Sequence, residues 1–136
     1  MDGMFRSASA FNQDISSWDV SGVTNVRGMF ENAHEFNQDI SLWNVSQVIA
    51  MDNMFYDASE FNQDISPWDV SQVYTMGEMF RTASKFNQCL ASWAALSSDL
   101  LTTRRMFVGS GCTNTDDPVP EFGSWCQTEE DGCSLE

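Results

Sequence analysis

The sequence predicts an α/β solenoid: a stack of about four strand–turn–helix coils with a parallel sheet and a disulfide-containing C-terminal cap. One observation is a period of 25 residues, seen in the column Phe5, Phe30, Phe55 and Phe80. A second is a change of apolar spacing inside each unit, and a third is the restriction of all four cysteines to residues 89–133, towards the C-terminal end. A fixed period of this length is typical of units that bury their apolar faces against one another.

The spacing within one unit predicts one helix and one strand. Val23, Val26 and Phe30 recur at intervals of three and four residues, as on one face of a short helix. Trp43 and Val45 are separated by two residues, as on one face of a strand. Each unit is therefore expected to run as strand, turn, helix and return.

The predicted strand reads Ile40-x-x-Trp43-x-Val45, which has the L-x-x-L-x-L spacing of a leucine-rich repeat. Stacked copies of such a strand would form a parallel sheet. The positions that face outward from this sheet change character from copy to copy, whereas the core columns do not, so we predict that they bind the ligand. These positions are Ser17, Asp19, Leu42, Asn44, Pro67 and Asp69.

The consensus M-F-x-x-A-x-x-F-N-Q-D-I-S-x-W-D-V-S-x-V resembles the repeat of the BspA-like leucine-rich-repeat surface proteins. The resemblance covers roughly residues 1–107, and the last copy departs from it where Cys89 replaces the aspartate. It implies a secreted or surface-anchored protein whose repeats serve adhesion or ligand binding. It supplies no shared catalytic residues that could be carried over to this chain.

The pattern divides the chain into three parts. Residues 1–107 form the predicted solenoid and residues 108–134 the predicted cap, while residues 135–136 resemble a remnant of cloning. Residues 1–5 have the phase of residues 51–55, so we expect the chain to open in mid-repeat, as a fragment would. An open N-terminal edge of this kind is a candidate surface for self-association.

Charge and hydropathy exclude several classes of partner. The formal net charge is -14, from 20 acidic and six basic residues, which disfavours binding to nucleic acid. No apolar run approaches the roughly 18 residues of a membrane-spanning helix, so this segment is not expected to insert into a membrane.

The four cysteines Cys89, Cys112, Cys126 and Cys133 predict two disulfide bonds, with three pairings open. Cys112 follows Cys89 by nearly one repeat, so adjacent coils could bring the two together, and Cys126 with Cys133 would close a small loop. A zinc site is the alternative, although the spacings match no common zinc finger. Disulfides would indicate an oxidising compartment outside the cytoplasm.

The aspartate column Asp14, Asp39 and Asp64 admits two interpretations. Stacked carboxylates repel one another unless a cation lies between them, so the column is a weak candidate for calcium binding. The alternative is that each aspartate accepts hydrogen bonds from backbone amides of its own coil. No other cofactor is expected.

The function predicted from these features is an extracellular or cell-surface module that binds a protein or carbohydrate partner. The alternative is a structural spacer or self-assembling scaffold without a ligand of its own. An enzyme is not expected, because the chain has no Ser-His-Asp set, glycine-rich phosphate loop or H-E-x-x-H motif.

Overall fold

The computed structural model describes residues 1–120 and 125–134. Within these ranges the regular elements are one α-helix, α1 (Ala91–Leu96), and one 3-10 helix (Glu129–Asp131). No β-strand is found in the described part of the chain, only isolated parallel bridges between Asn25, Ala50, Thr75 and Thr102. The predicted α/β solenoid with a leucine-rich-repeat-like parallel sheet is therefore wrong. The repeats instead form a stack of turn-rich coils.

The segment predicted to be helical is a series of tight turns, which we call the turn segment (residues 26–33 in the second coil). Its backbone N–H groups alternate between two kinds of acceptor. Met29 donates to the carbonyl of Val26 within the coil at 3.1 Å, and the next residue, Phe30, donates to Met54 of the following coil at 2.9 Å. An α-helix would direct each N–H to the residue four positions earlier. Half of the N–H groups in this segment instead donate hydrogen bonds to carbonyls of the following coil.

Left-handed backbone conformations produce this alternation. Each turn segment contains two residues with positive φ, four positions apart, and a right-handed helix cannot pass through such residues. Gly28, at φ 57°, adopts this conformation without steric cost, but Asn53 and Glu78 occupy the same position in later coils. The residues concerned are Gly3, Ser7, Gly28, Asn32, Asn53, Asp57, Glu78, Thr82, Arg105 and Gly109.

The segment predicted to be a strand also folds into turns; we call it the Asn–Trp segment (residues 37–43 in the second coil). The N–H of Trp43 donates to Ile40 at 3.1 Å, and the N–H of Val48 donates to Val45 at 2.9 Å. These bonds close turns of four residues, so the backbone N–H groups concerned do not enter a sheet. The extended stretch between the two turns is too short to form a strand.

The coils are held together by a column of aromatic rings. Phe30 stacks on Phe55 at a centroid distance of 5.6 Å, and Phe55 stacks on Phe80 at 5.5 Å. Phe36 and Phe61 form a second column at 5.8 Å, and within one coil the Phe30 and Phe36 rings lie 3.9 Å apart. Because each ring packs on rings of both neighbouring coils, the core is continuous along the stack.

Two ladders of side-chain hydrogen bonds follow the same axis. The indole N–H of Trp68 donates to the carbonyl of Ile40 at 3.0 Å, and Trp43 and Trp93 make the equivalent bond to the preceding coil. Asn37 accepts a bond from the backbone N–H of Asn62 at 3.0 Å, and Gln63 donates to both oxygens of Asn37. The Asn-Gln pair of each repeat therefore links its coil to the previous one.

The predicted core columns are confirmed. The Phe, Trp, Ile and Val columns of the second and third coils are buried. The first coil is the exception, since Phe5 and Phe11 are only partly buried and Trp18 is 38% exposed. Among the described residues, none covers the side of these rings that faces away from the second coil.

Helix α1 lies where the fourth copy departs from the repeat. Cys89 replaces the aspartate that anchors a turn in the other copies, and Ala94-Ala95 replaces the Asp-Val pair. Alanine has the highest helix propensity, and the turn anchor is absent, so this copy forms one and a half helical turns.

Both predicted disulfides are present, in one of the three pairings that the sequence left open. Cys89 is bonded to Cys133 and Cys112 to Cys126, so neither of the suggested pairs, Cys89 with Cys112 and Cys126 with Cys133, is formed. The bonds bring residues 125–133 against the fourth coil, where the side chain of Gln127 donates to the carbonyl of Asn87 at 3.0 Å. That bond continues the Asn-Gln ladder. Residues 135–136, interpreted as a cloning remnant, lie outside the described residues.

Candidate interaction surface

All six residues predicted to bind the ligand lie on the surface of the stack, although no sheet carries them. They occur in the corresponding segments 12–24, 37–49 and 62–74, whose exposed side chains we call the Leu42 face. Leu42 itself is 90% exposed, while its neighbours Ile40 and Trp43 are buried. The six predicted residues, all of them exposed, are Ser17, Asp19, Leu42, Asn44, Pro67 and Asp69.

The aspartates at the start of these segments anchor turns in their own coil. Asp14 accepts a hydrogen bond from the backbone N–H of Ser16 at 2.9 Å, and Asp39 accepts the equivalent bond from Ser41 at 2.9 Å. The Ser16 side chain and backbone lower the pKa of Asp14, and Ser41 lowers the pKa of Asp39 in the same way. Both carboxylates are therefore stabilised in the charged form.

A second column repeats this arrangement five residues later. Asp19 accepts bonds from the backbone N–H and hydroxyl of Ser21 at 3.0 Å and 2.6 Å. Asn44 accepts the same two bonds from Ser46, and Asp69 accepts the backbone bond from Ser71. The Ser21 and Ser71 hydrogen bonds lower the pKa of Asp19 and Asp69. Each outward carboxylate is thus fixed by a turn of the Asx type.

The aspartate column proposed for calcium makes the local hydrogen bonds that the alternative interpretation expected, since Asp64 also accepts from the N–H of Ser66 at 3.0 Å. Asp14 and Asp39 line the same depression between adjacent coils, and the negative charge of Asp14 opposes the lowering of the Asp39 pKa. In the described residues, no group of three or more His, Cys, Asp or Glu side chains is placed to hold a metal ion. Calcium binding remains a prediction.

Shallow depressions lie between coils along this column, at structurally equivalent places. The first, of about 220 Å³, is lined by Asp14, Ser16, Gln38, Asp39 and Leu42. The second, of about 330 Å³, has Asp64, Ser66 and Gln88 at the corresponding positions, with Cys89 in place of the second aspartate. Gln38 and Gln88 were not predicted as site residues. The feature of the sequence that could have indicated them is the Asn-Gln pair, which is the same in every copy.

Charge is divided between two sides of the stack. Segments 12–24, 37–49, 62–74 and 87–99 contain no basic residue, and the first three contain five aspartates. The turn segments and the residues next to them hold all six basic residues, where ion pairs link successive coils. Arg27 pairs with Asp52 at 2.8 Å, and Lys85 pairs with Glu60 at 2.6 Å. The Leu42 face is therefore anionic without internal counter-charges.

A third depression, of about 440 Å³, lies on the turn side and was not foreseen from the sequence. Gly77 is the repeat equivalent of Arg27 in the second coil. Because glycine has no side chain, a space remains between Asp52 and Arg104. Asp52 is already engaged there by Arg27, by the hydroxyl of Thr75 and by the N–H of Gly77.

Taken together, these features define a protein of stacked 25-residue repeats with a disulfide-bonded C-terminal end and one anionic lateral face. The chain belongs to the family described as Mycoplasma protein of unknown function, DUF285, whose profile matches residues 1–119. This membership agrees with the resemblance to BspA-like surface repeats. No curated protein and no solved structure matches the chain.

Among the residues that the structure describes, neither helix has the length and apolar character needed to cross a bilayer.

Proposed function

We propose that the chain is a secreted or cell-surface module that binds a protein or glycan partner through its Leu42 face. The observation that supports this proposal is the concentration of five aspartates there without a basic residue. Uncompensated like charges raise the energy of the free protein, and a partner that carries cationic groups would relieve the repulsion. A basic protein surface is the partner that this charge favours.

Leu42 supplies an apolar contact within the same face. A leucine that is 90% exposed contributes little to folding, and it lies beside the depression lined by Asp14 and Gln38. Interfaces commonly combine a buried apolar anchor with a polar rim, and here a single leucine is surrounded by carboxylates and amides. We infer that Leu42 is the anchor and that Asp19 and Asp69 belong to the rim.

The backbone of the face is already ordered. Each carboxylate or amide of the Asp19 column is held in a turn by hydrogen bonds from the serine two residues later. Side chains that are fixed before binding lose less conformational entropy when a partner docks. This order favours a binding role for the face.

The proposed location is supported by the disulfide bonds at the C-terminal end of the stack and by the family membership. All four cysteines are paired in disulfides, which persist in oxidising compartments outside the cytoplasm. A secreted or surface-exposed repeat protein meets that condition and agrees with the family membership.

The test measures binding of a synthetic peptide of alternating lysine and leucine residues, alongside a panel of neutral and charged glycans. The variant Asp19→Asn/Leu42→Ser/Asp69→Asn removes the proposed anchor and two rim charges while keeping the turn-forming groups, as the natural Asn44 does. A control, Glu129→Gln/Glu130→Gln, removes the same net charge from the exposed 3-10 helix. We expect the face variant to weaken binding by about tenfold or more, or about 1.4 kcal/mol, and the control to have a smaller effect.

Equal losses in the two variants would show that only net charge matters and would refute the placement of the site. Failure of every peptide and glycan to bind would favour the alternative function, a structural spacer. That alternative is supported by the regularity of the stack, in which each inner coil makes the same hydrogen bonds to the coils on both sides.

A further inference from the structure

We propose that the depression beside Gly77 binds a small zwitterion of the free α-amino acid class. The carboxylates of Asp52 and Glu78 receive the ammonium group, and Arg104 receives the carboxylate. The depression measures about 440 Å³ and is lined by residues of three successive repeats. Sites for small molecules commonly measure about 300–1,000 Å³, so the space is sufficient. None of the lining residues belongs to the Leu42 face, so the two sites are independent.

The space exists because position 77 carries no side chain. A Cβ atom added to Gly77 would lie 3.3 Å from the Asp52 carboxylate and 3.7 Å from the carbonyl oxygen of Arg104. Arg27 occupies the equivalent position of the second coil, and its guanidinium donates to the same Asp52 carboxylate at 2.8 Å. The chain itself therefore shows this carboxylate binding a cationic group. A ligand in the space beside Gly77 approaches Asp52 from the other neighbouring coil.

Both carboxylates of the depression can accept further hydrogen bonds. Three donors engage Asp52, whereas an ionised carboxylate has about four positions for accepting a hydrogen bond. Oε2 of Glu78 accepts a bond from Arg81 at 3.0 Å, and no described residue donates to its Oε1. These positions suit a primary ammonium, which has three N–H groups to donate.

Arg104 supplies an uncompensated positive charge at the same depression. Four of the six basic residues form ion pairs with acidic side chains, namely Arg6, Arg27, Arg81 and Lys85. Within the described part of the chain, Arg104 and Arg105 form none, and of these two only Arg104 lines the depression. A guanidinium group matches the geometry of a carboxylate and can donate two parallel hydrogen bonds to it.

The combination of charges selects a zwitterion over a ligand with a single charge. A simple carboxylate would be repelled by Asp52 and Glu78, and also by the net charge of -14. A simple amine would be repelled by Arg104. An α-amino acid has no net charge and carries both groups on one carbon atom. Each group can then meet an opposite charge, because Glu78 and Arg104 lie on adjacent coils that are joined by a backbone hydrogen bond of 2.8 Å.

The experiment is a titration of the full ¹⁵N-labelled chain, followed by nuclear magnetic resonance, with three probes of similar size. L-Alanine carries both charged groups, propionate lacks the ammonium and ethylamine lacks the carboxylate. We expect L-alanine to shift the amide signals of Gly77 and Glu78 and to bind at least about tenfold more tightly than either other probe.

Two substitutions locate the site, and a third is the matched control. Arg104→Gln removes the guanidinium and should weaken L-alanine binding by about tenfold or more. Gly77→Arg introduces the residue of the second coil and should abolish binding by filling the space. Arg105→Gln removes the neighbouring exposed arginine, which also lacks an ion pair but does not line the depression, and should leave binding unchanged. Circular dichroism and thermal melting establish that each variant folds.

Three results would overturn this assignment. The first is the absence of any shift of the lining amides by L-alanine in the millimolar range. The second is equal affinity for L-alanine and for propionate or ethylamine, which would show that only one charge is recognised. The third is an equal loss of binding in Arg104→Gln and Arg105→Gln. The variant of the Leu42 face should bind L-alanine normally, so failure of one site is distinguishable from failure of the other.

Discussion

The tryptophan ladder permits a direct measurement of what holds one coil to the next. Trp68 is 1% exposed and its indole N–H donates to Ile40 of the preceding coil at 3.0 Å. Trp18 occupies the same position in the first coil, where it is 38% exposed and where no described residue accepts a hydrogen bond from its indole N–H. Substituting each tryptophan by phenylalanine therefore compares the same chemical change with and without the inter-coil contact.

The magnitude follows from the two contributions that are lost. Removing a buried neutral hydrogen bond costs about 0.5–1.5 kcal/mol. Phenylalanine also lacks two buried ring carbons, which adds roughly 1.6 kcal/mol at about 0.8 kcal/mol for each carbon. We expect Trp68→Phe to lower the free energy of unfolding by about 2–3 kcal/mol, and Trp18→Phe to lower it by less than about 1 kcal/mol.

Urea unfolding monitored by far-ultraviolet circular dichroism measures both values. A loss of about 2.5 kcal/mol corresponds to a fall of roughly 10 °C in Tm for a domain of this size. Equal losses in Trp68→Phe and Trp18→Phe would refute the reasoning, because the ladder would then contribute nothing beyond local packing. Trp43→Phe and Trp93→Phe, which remove the equivalent bonds, should resemble Trp68→Phe.

Two further predictions concern the C-terminal end and the aspartates. Cys112→Ser/Cys126→Ser should lower the free energy of unfolding by about 3 kcal/mol, measured by urea titration, because the bond closes a loop between residues 14 apart; an unchanged midpoint would contradict this. Hydrogen bonds lower the pKa of Asp69 in the folded chain, so its contribution to stability is complete above the unfolded value of about 3.9 and is lost as the pH falls through the folded value. Asp69→Asn should therefore lessen the fall of Tm below about pH 4, and a similar effect from Glu130→Gln in the exposed tail would argue against the turn as the cause.

The core could be predicted from the sequence because the period aligns residues that must share one environment. The Phe30 and Trp43 columns are apolar in every copy, and in a stack each such column either lies in the core or covers the surface with aromatic rings. The local backbone could not be predicted in the same way. A spacing of three or four residues places Val26 and Phe30 on one side of a helix, and it also does so in successive tight turns.

Residues with positive φ distinguish the series of tight turns from a helix, and only some of them are of a type that predicts positive φ. Gly3 and Gly28 are residue types that signal positive φ, whereas Glu78 and Arg105 at the same position are not. The exposure of Leu42 and Pro67 was predictable from the outward phase of their positions. The depressions were not, because they depend on how Gln38 lies against Asp14 of the preceding coil.

The alternation of N–H groups in the turn segment has a consequence for how such a chain changes during evolution. Every inner coil satisfies the same bonds above and below, so the gain or loss of one whole 25-residue unit creates no new kind of contact. A single-residue insertion within the turn segment would instead exchange the N–H groups that bind the next coil with those that close a turn. The fourth copy is two residues longer between Trp93 and Phe107 than the first is between Trp18 and Phe30, and the pairing of Phe80 with Met106 is nevertheless restored. Duplication of entire repeats is therefore the change in length that this architecture tolerates best.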